Sequence, residues 1–168
     1  YILDYGFSLW RLQPTSPLTV AGPTPDSGTT TFADNRTAAP DDDALGNGTL
    51  RVASFNVLNY FTSLGQNEAG CQSYTDRAGN PITARDCSVR GAYTAVSLQR
   101  QQDKIVAAIN SVDAAVIGLM EIENSAKLGE SPDEALLTLV AALNSAAGTA
   151  KWAAVASSAD LPAVSSQD

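Results

Sequence analysis

Residues 50–61 read LRVASFNVLNYF. Apolar side chains fall on both parities of this run, the pattern of a β-strand covered on both faces. Asn56 interrupts it, and an unpaired amide at such a place costs roughly 1 to 3 kcal/mol. It is therefore either a core amide bonded to nearby backbone or a residue lining a site at the end of a sheet. Asn59, three positions on, either caps the strand end or approaches the same site.

Outward toward the C-terminus, residues 64–91 are polar and hold both cysteines, Cys71 and Cys87. Helical spacing returns over 94–112, with Leu98, Ile105, Ile109 and Val112 on one stripe and Arg100, Gln101, Asp103 and Lys104 mostly off it. The run AAVIGLM (114–120) reads as a second buried strand, and it gives way abruptly to EIEN (121–124). Ser131-Pro132-Asp133-Glu134 combines an N-cap residue, a proline at the first helical position and an acid at the third. It predicts a helix whose stripe is Leu136, Leu139, Val140 and Leu143 and which Gly148 stops. Residues 151–156, with Trp152 and Val155, are expected to form a third strand. Strand, helix, strand, helix, strand is the order of an α/β layer fold.

Toward the N-terminus, residues 16–48 are rich in Pro, Gly, Thr and Asp, including Asp41, Asp42 and Asp43, and read as an extended linker. Two Asn-x-Thr acceptors, Asn35 and Asn47, matter only in a host that glycosylates. Residues 1–12 carry Tyr5, Phe7 and Leu9 on one parity, which suits a single strand. The start lacks the basic region of a signal peptide, and with no initiator Met it reads as a fragment or a processed form. No apolar run approaches the roughly 20 residues of a membrane helix.

The formal net charge is −8, from 18 acidic and 10 basic residues. That balance disfavours adhesion to polyanions through a broad positive field, but a bound cation can supply local positive charge whatever the sign of the domain. The cysteines have no CxxC spacing and the chain has no histidine, which argues against zinc. A Cys71–Cys87 disulfide is the expected state, with two free thiols as the alternative; a disulfide points to an oxidising compartment.

Glu121 ends a buried apolar strand and must reach solvent, pair with a cation or bind a metal. The carboxyl end of a strand in an α/β sheet is where ligand sites are expected, and carboxylate and amide oxygens suit a hard cation. Glu123 alternates onto the opposite face and reads as structural. Arg100, Gln101 and Lys104 read as packing and surface charge.

Three segments, LRVASFNVLNYF (50–61), RGAYTAVSLQRQQDKIVAAI (90–109) and VIGLMEIEN (116–124), together resemble extracellular bacterial nucleases of the ExeM/NucH type, in the endonuclease/exonuclease/phosphatase superfamily. The likeness spans 49–168. LDYGFSLWRLQPT (3–15) is similar to the last strand of the OB-like module that precedes the catalytic domain in that family, and SSQD (165–168) resembles the lead-in to the next family strand.

The resemblance implies a four-layer α/β sandwich of the DNase I type, with about its first half present. It implies Glu121 as the metal-binding carboxylate with Asn56 beside it, Mg²⁺ as cofactor with Mn²⁺ or Ca²⁺ as alternatives, and DNA as substrate with RNA open, and it leaves a phosphate-side role open for Arg100 and Lys104, which fall in the family's RQxxKI helix. The family's reaction is attack of water on a phosphodiester, assisted by a cation and by a His–Asp pair. This chain contains no histidine, so the catalytic machinery is expected to be divided, with the remainder of the polypeptide needed to complete the fold and the chain alone inactive. A phosphomonoesterase of the same superfamily and a secreted non-catalytic binding module are the alternatives.

Overall fold

The computed structural model describes residues 1–13, 15, 46 and 48–158. The expected linker, apart from residues 46 and 48, lies outside them, as do Asn35, Asn47 and residues 165–168. The chain divides into two units, Tyr1–Ala39 and Pro40–Asp168. It is a mixed α/β fold, and among the described residues no helix is long and apolar enough to cross a membrane.

In the first unit, β1 (Ile2–Gly6) and β2 (Leu9–Gln13) form an antiparallel hairpin. The single strand expected over 1–12 is thus corrected. Phe7 and Ser8 make the two-residue turn, both in the left-handed region at φ 54° and 61°, the sense that matches strand twist. Phe7-Ser8 lacks the Asn-Gly or Gly-Gly pair usual where both central residues have positive φ, and Phe7 continued the odd-position alternation, so Gly6 and Ser8 gave only a weak local signal. Phe7 lies under the Arg11 guanidinium, 4.9 Å from the ring centre, and Tyr5 and Trp10 pair across the strands at 5.0 Å.

The second unit is built on β3 (Val52–Tyr60) and β6 (Val116–Ile122), adjacent and parallel. Between them come the hairpin β4 (Gln72–Thr75) and β5 (Pro81–Arg85), and helix α1 (Ala95–Val112); α2 (Glu134–Ala147) follows. Thr94 caps α1, accepting from the Ser97 amide at 3.2 Å. Phe55 and Val57 of β3 and Ile117 and Leu119 of β6 turn toward the helices. They pack with Tyr60, Ile105, Val106, Ile109, Ala135, Leu139 and Leu143 into one core.

The other face of this pair is bare. Val52 (64% exposed), Val116 (55%) and Met120 (47%) lie on it, so the strand expected to be covered on both faces is covered on one. Apolar residues on both parities ask for a second layer, and the described residues supply only the helical one.

Three further expectations are corrected. The polar excursion 64–91 contains β4 and β5, joined by a turn in which Asp76 Oδ1 accepts from the Ala78 and Asn80 amides at 2.8 and 2.9 Å. Helix α2 starts at Glu134 rather than from Ser131. Pro132 and Asp133 form a turn closed by the Glu134 amide donating to the Ser131 carbonyl, Asp133 adopts φ 65°, and the Asp133 carboxylate binds Ser157 instead of capping the helix. Gly148 does end α2, at φ 67°.

Residues 151–156 are not a strand. Asn144 takes the Trp152 amide at 2.7 Å and donates to the Trp152 carbonyl at 2.9 Å, while the indole N–H reaches Asn110 Oδ1 at 2.8 Å. Side-chain amides have claimed the groups that a ladder with β6 would use.

Candidate functional site

The parallel ladder runs in register from Val52↔Val116 to Asn56↔Met120 and resumes at Tyr60↔Ile122. Three residues of β3, 57–59, therefore stand against one residue of β6, Glu121. Leu58 and Asn59 adopt φ 54°, and Glu121 adopts φ 62°. Left-handed backbone at non-glycine residues costs of order 1 kcal/mol or more each and persists only where the surroundings fix it.

Two side chains fix it here. Asn56 Oδ1 accepts from the Leu58 amide at 2.8 Å. Gln101, reaching from α1, donates through Nε2 to the carbonyls of Val57, Leu58 and Asn59 at 3.1, 2.8 and 3.4 Å. Gly91 packs against the same point, where a Cβ would stand 2.8 Å from the Asn59 carbonyl oxygen and closer still to Phe61. The bulge thus begins directly after Asn56, midway along β3, and falls opposite Glu121 near the end of β6, although the two are 65 positions apart in sequence.

Glu123 is buried and structural. It accepts from the amides and hydroxyls of both Thr62 and Ser63, at 2.5 to 3.1 Å. Burial, and then the Glu123 charge, push the Tyr60 phenol up to about 12. That phenol donates to Gln102 Oε1 at 2.6 Å, so Tyr60 is a neutral strut.

Along the outer edge of β3 runs a cleft of about 690 Å³, between the end of that strand, α1 and the approach to α1. Asn56, Arg100, Gln101 and Lys104 all line it, joined by Arg90. Glu121 does not line it and lies on the neighbouring strand. Sequence reasoning missed two things: the clamp made by Gln101, whose only sign was an uncharged residue between Arg100 and Lys104, and Arg90, which lies in a polar stretch without periodicity.

The resemblance implies a divalent cation at the bulge. Glu121 is partly exposed and makes no hydrogen bond or ion pair among the described residues, leaving both carboxylate oxygens for a hard cation. Asn56 Oδ1 retains a lone pair beside its bond to Leu58. The donor types fit such an ion.

Elsewhere, Glu68 stands beside Cys71 and Cys87. That group does not suit a metal, because the sulfurs are joined in the expected disulfide, with Cα atoms 5.0 Å apart, and Glu68 is occupied by the amides of Ser88 and Val89 at 2.8 and 2.9 Å. Those two amides hold the Glu68 carboxyl below its ordinary 4.5. With the folded value depressed, the stabilisation is full above about pH 4.5 and is lost as pH falls through the folded value. Thermal unfolding followed against pH is expected to show an acid-side loss in the wild type that Glu68→Gln reduces, the share from Asp76 and Asp113, whose carboxyls are also held low, remaining; superimposable acid limbs would contradict this.

Gln101→Ala is expected to destabilise the protein by about 1 to 3 kcal/mol, since it strips bonds from carbonyls in a partly buried bulge. Denaturant melts measure the loss. Broadened amide resonances confined to 56–60 and 120–122 would mark loosening of the bulge rather than of the core.

Compared with family models, curated proteins and solved structures, the chain gives no match.

Proposed function

We propose that this chain carries the metal-binding part of a Mg²⁺-dependent phosphodiesterase that cleaves nucleic acid outside the cell, of the endonuclease/exonuclease/phosphatase superfamily. The observation that carries the reading is the paired backbone irregularity beside which Asn56 of β3 and Glu121 of β6 lie on adjacent parallel strands. Both are polar residues set in apolar runs, and one shared cation explains both. When bound, such a cation offsets charge that develops on phosphoryl oxygens. Glu121 anchors it, Asn56 orients the local backbone and offers an amide, and Gln101 holds the bulge in shape.

The chain has no histidine, so a base of the family's type comes from other polypeptide. The bare face bearing Val52, Val116 and Met120, with an unpaired edge on each strand of the β3–β6 pair among the described residues, supports a second sheet from the same source and hence a four-layer sandwich. The disulfide supports an oxidising compartment.

A cleavage assay on bis-p-nitrophenyl phosphate, p-nitrophenyl phosphate and plasmid DNA, with Mg²⁺ or EDTA, tests the reading. The chain alone is expected near background, because a missing general base or acid removes about 10² to 10⁴ in rate. Combined with a His- and Asp-bearing second half of such a domain, it is expected to cleave the diesters in Mg²⁺ only. Preference for the monoester would favour a phosphomonoesterase instead.

A further inference from the structure

We propose that the Cys71–Cys87 bridge is a redox-linked latch on the bulge, so that the chain holds Leu58, Asn59 and Glu121 in their left-handed backbone only once the two thiols have been oxidised. The latch itself stands on contacts within the chain. What it does to a bound cation rests on the phosphodiesterase reading.

Gln101 grips the bulge from one side, and its reach lengthens to 3.4 Å at the Asn59 carbonyl. A second support takes over at that carbonyl. Gly91 lies against it and against Phe61, so closely that a Cβ on Gly91 would stand 2.8 Å from the Asn59 oxygen and 2.5 Å from Phe61 Cβ. The backbone at Gly91 is therefore the wall on which the last residues of the bulge are packed.

The disulfide loop carries that wall. The Gly91 carbonyl accepts from the Ala84 amide at 2.8 Å and the Tyr93 amide donates to the Ile82 carbonyl at 2.8 Å, so the wall moves with β5. The lead into it, residues 86–90, lies outside any strand. It begins at Asp86, a non-glycine residue at φ 59°, and backbone of that kind relaxes unless its surroundings fix it. What ties this lead back to residues 65–71 is the bridge at Cys87 and the Glu68 carboxylate, which accepts from the amides of Ser88 and Val89. The two hydrogen bonds come from a partly exposed side chain and exchange with water; the bridge is covalent. Both cysteines also pack on the small core of Phe61, Ala84 and Val89. Phe61 directly follows the last residue of β3, so the core that the bridge closes is continuous with the far end of the bulge.

Closing the latch is a two-electron step. The two thiols give up two protons and two electrons, the Sγ–Sγ bond forms, and a disulfide-bearing oxidant leaves as its dithiol. Both cysteines are half-buried, within reach of such a reagent. In reducing surroundings the chain thus carries an unset bulge and a weak cation site, and the site is completed where disulfides form.

The test compares the full chain with its bridge intact against Cys71→Ser/Cys87→Ser, which is permanently open and brings no thiolate to compete for metal. Backbone amide spectra are read before and after addition of Mn²⁺. In the open form the amides of 57–60 and 120–122 are expected to shift or broaden while α1 and α2 keep their hydrogen-exchange protection. The Mn²⁺ concentration that bleaches those amides should rise at least about 10-fold, because a bulge set about a tenth of the time loses that factor in apparent affinity. Gly91→Ala in the bridged chain, which drives a Cβ onto the Asn59 carbonyl, should disturb the same amides with the disulfide intact. Asn144→Ala, which frees the chain at Trp152 instead, should leave them unmoved. Bulge amides identical in the bridged and open forms would overturn the latch. Loss of α1 and α2 protection in the open form would overturn it too, since the bridge would then hold the whole fold and not the bulge. Bulge amides that respond to the bridge while Mn²⁺ bleaches them in neither form would leave the latch standing and remove the metal site.

Discussion

Glu121→Gln is expected to lower Mg²⁺-dependent phosphodiester cleavage by about 10³-fold in any preparation in which the wild-type chain supports it, a loss of about 4 kcal/mol in transition-state stabilisation. The substitution keeps the shape of the side chain and removes its charge. The Glu121 side chain makes no hydrogen bond or ion pair among the described residues, so folding has little reason to change, and the melting temperature should stay within a degree or two of wild type. The comparison with Glu123 sharpens the test. Glu123 is buried and accepts from Thr62 and Ser63, so Glu123→Gln should cost stability first and activity only through it. Near-normal turnover by Glu121→Gln at saturating Mg²⁺, measured as initial rates on plasmid DNA, would remove Glu121 from the metal site.

Replacing both cysteines by alanine is expected to destabilise the protein by about 3 kcal/mol. The bridge closes a separation of 16 residues, and a loop of that length corresponds to about this much lost chain entropy in the unfolded state. The effect should be local before it is global. The bridge joins the start of β4 to the segment beyond β5, and both sulfurs pack beside Phe61, Ala84 and Val89 in a small core separate from the one under the sheet. Hydrogen exchange should therefore rise first over 72–93, while α1 and α2 keep their protection. Denaturant unfolding of the double variant, with intact mass before and after reduction of the wild type, measures both halves of the claim. An unchanged midpoint would contradict it.

What the sequence made legible follows from what physics writes locally. Strand β3, helix α1 and strand β6 were readable because their apolar periods are long and uninterrupted. Asn56 and Glu121 stood out because each places a polar group where an apolar run has no use for one. The hairpins were not readable. β4 and β5 are short, carry Ser, Thr and Arg, and are held by an Asp76 turn and a disulfide rather than by a hydrophobic stripe; Phe7-Ser8 reverses the chain without the Asn-Gly signature of its turn type.

The third expected strand failed for another reason. Trp152 and Val155 have strand-like character, but Asn144 and Asn110 bind the Trp152 groups from the helices, and tertiary hydrogen bonds overrode local preference. Least legible was the bulge itself. Leu58, Asn59 and Glu121 take left-handed backbone without a glycine among them, and the residue that holds them, Gln101, lies 42 positions or more away from each carbonyl it bonds. Only the folded chain brings it there.

The placement of a cation at the bulge is tested most directly by paramagnetic line broadening, with substoichiometric Mn²⁺ added to isotope-labelled protein and backbone amide intensities read residue by residue. Selective loss of the amides of 56–60 and 120–122, reversed by excess Mg²⁺ and absent in Glu121→Gln, is the expected result. Broadening centred instead on the Asp76 turn or on Glu123 and Glu130, with the bulge amides untouched, would contradict the metal site and the phosphodiesterase reading built on it.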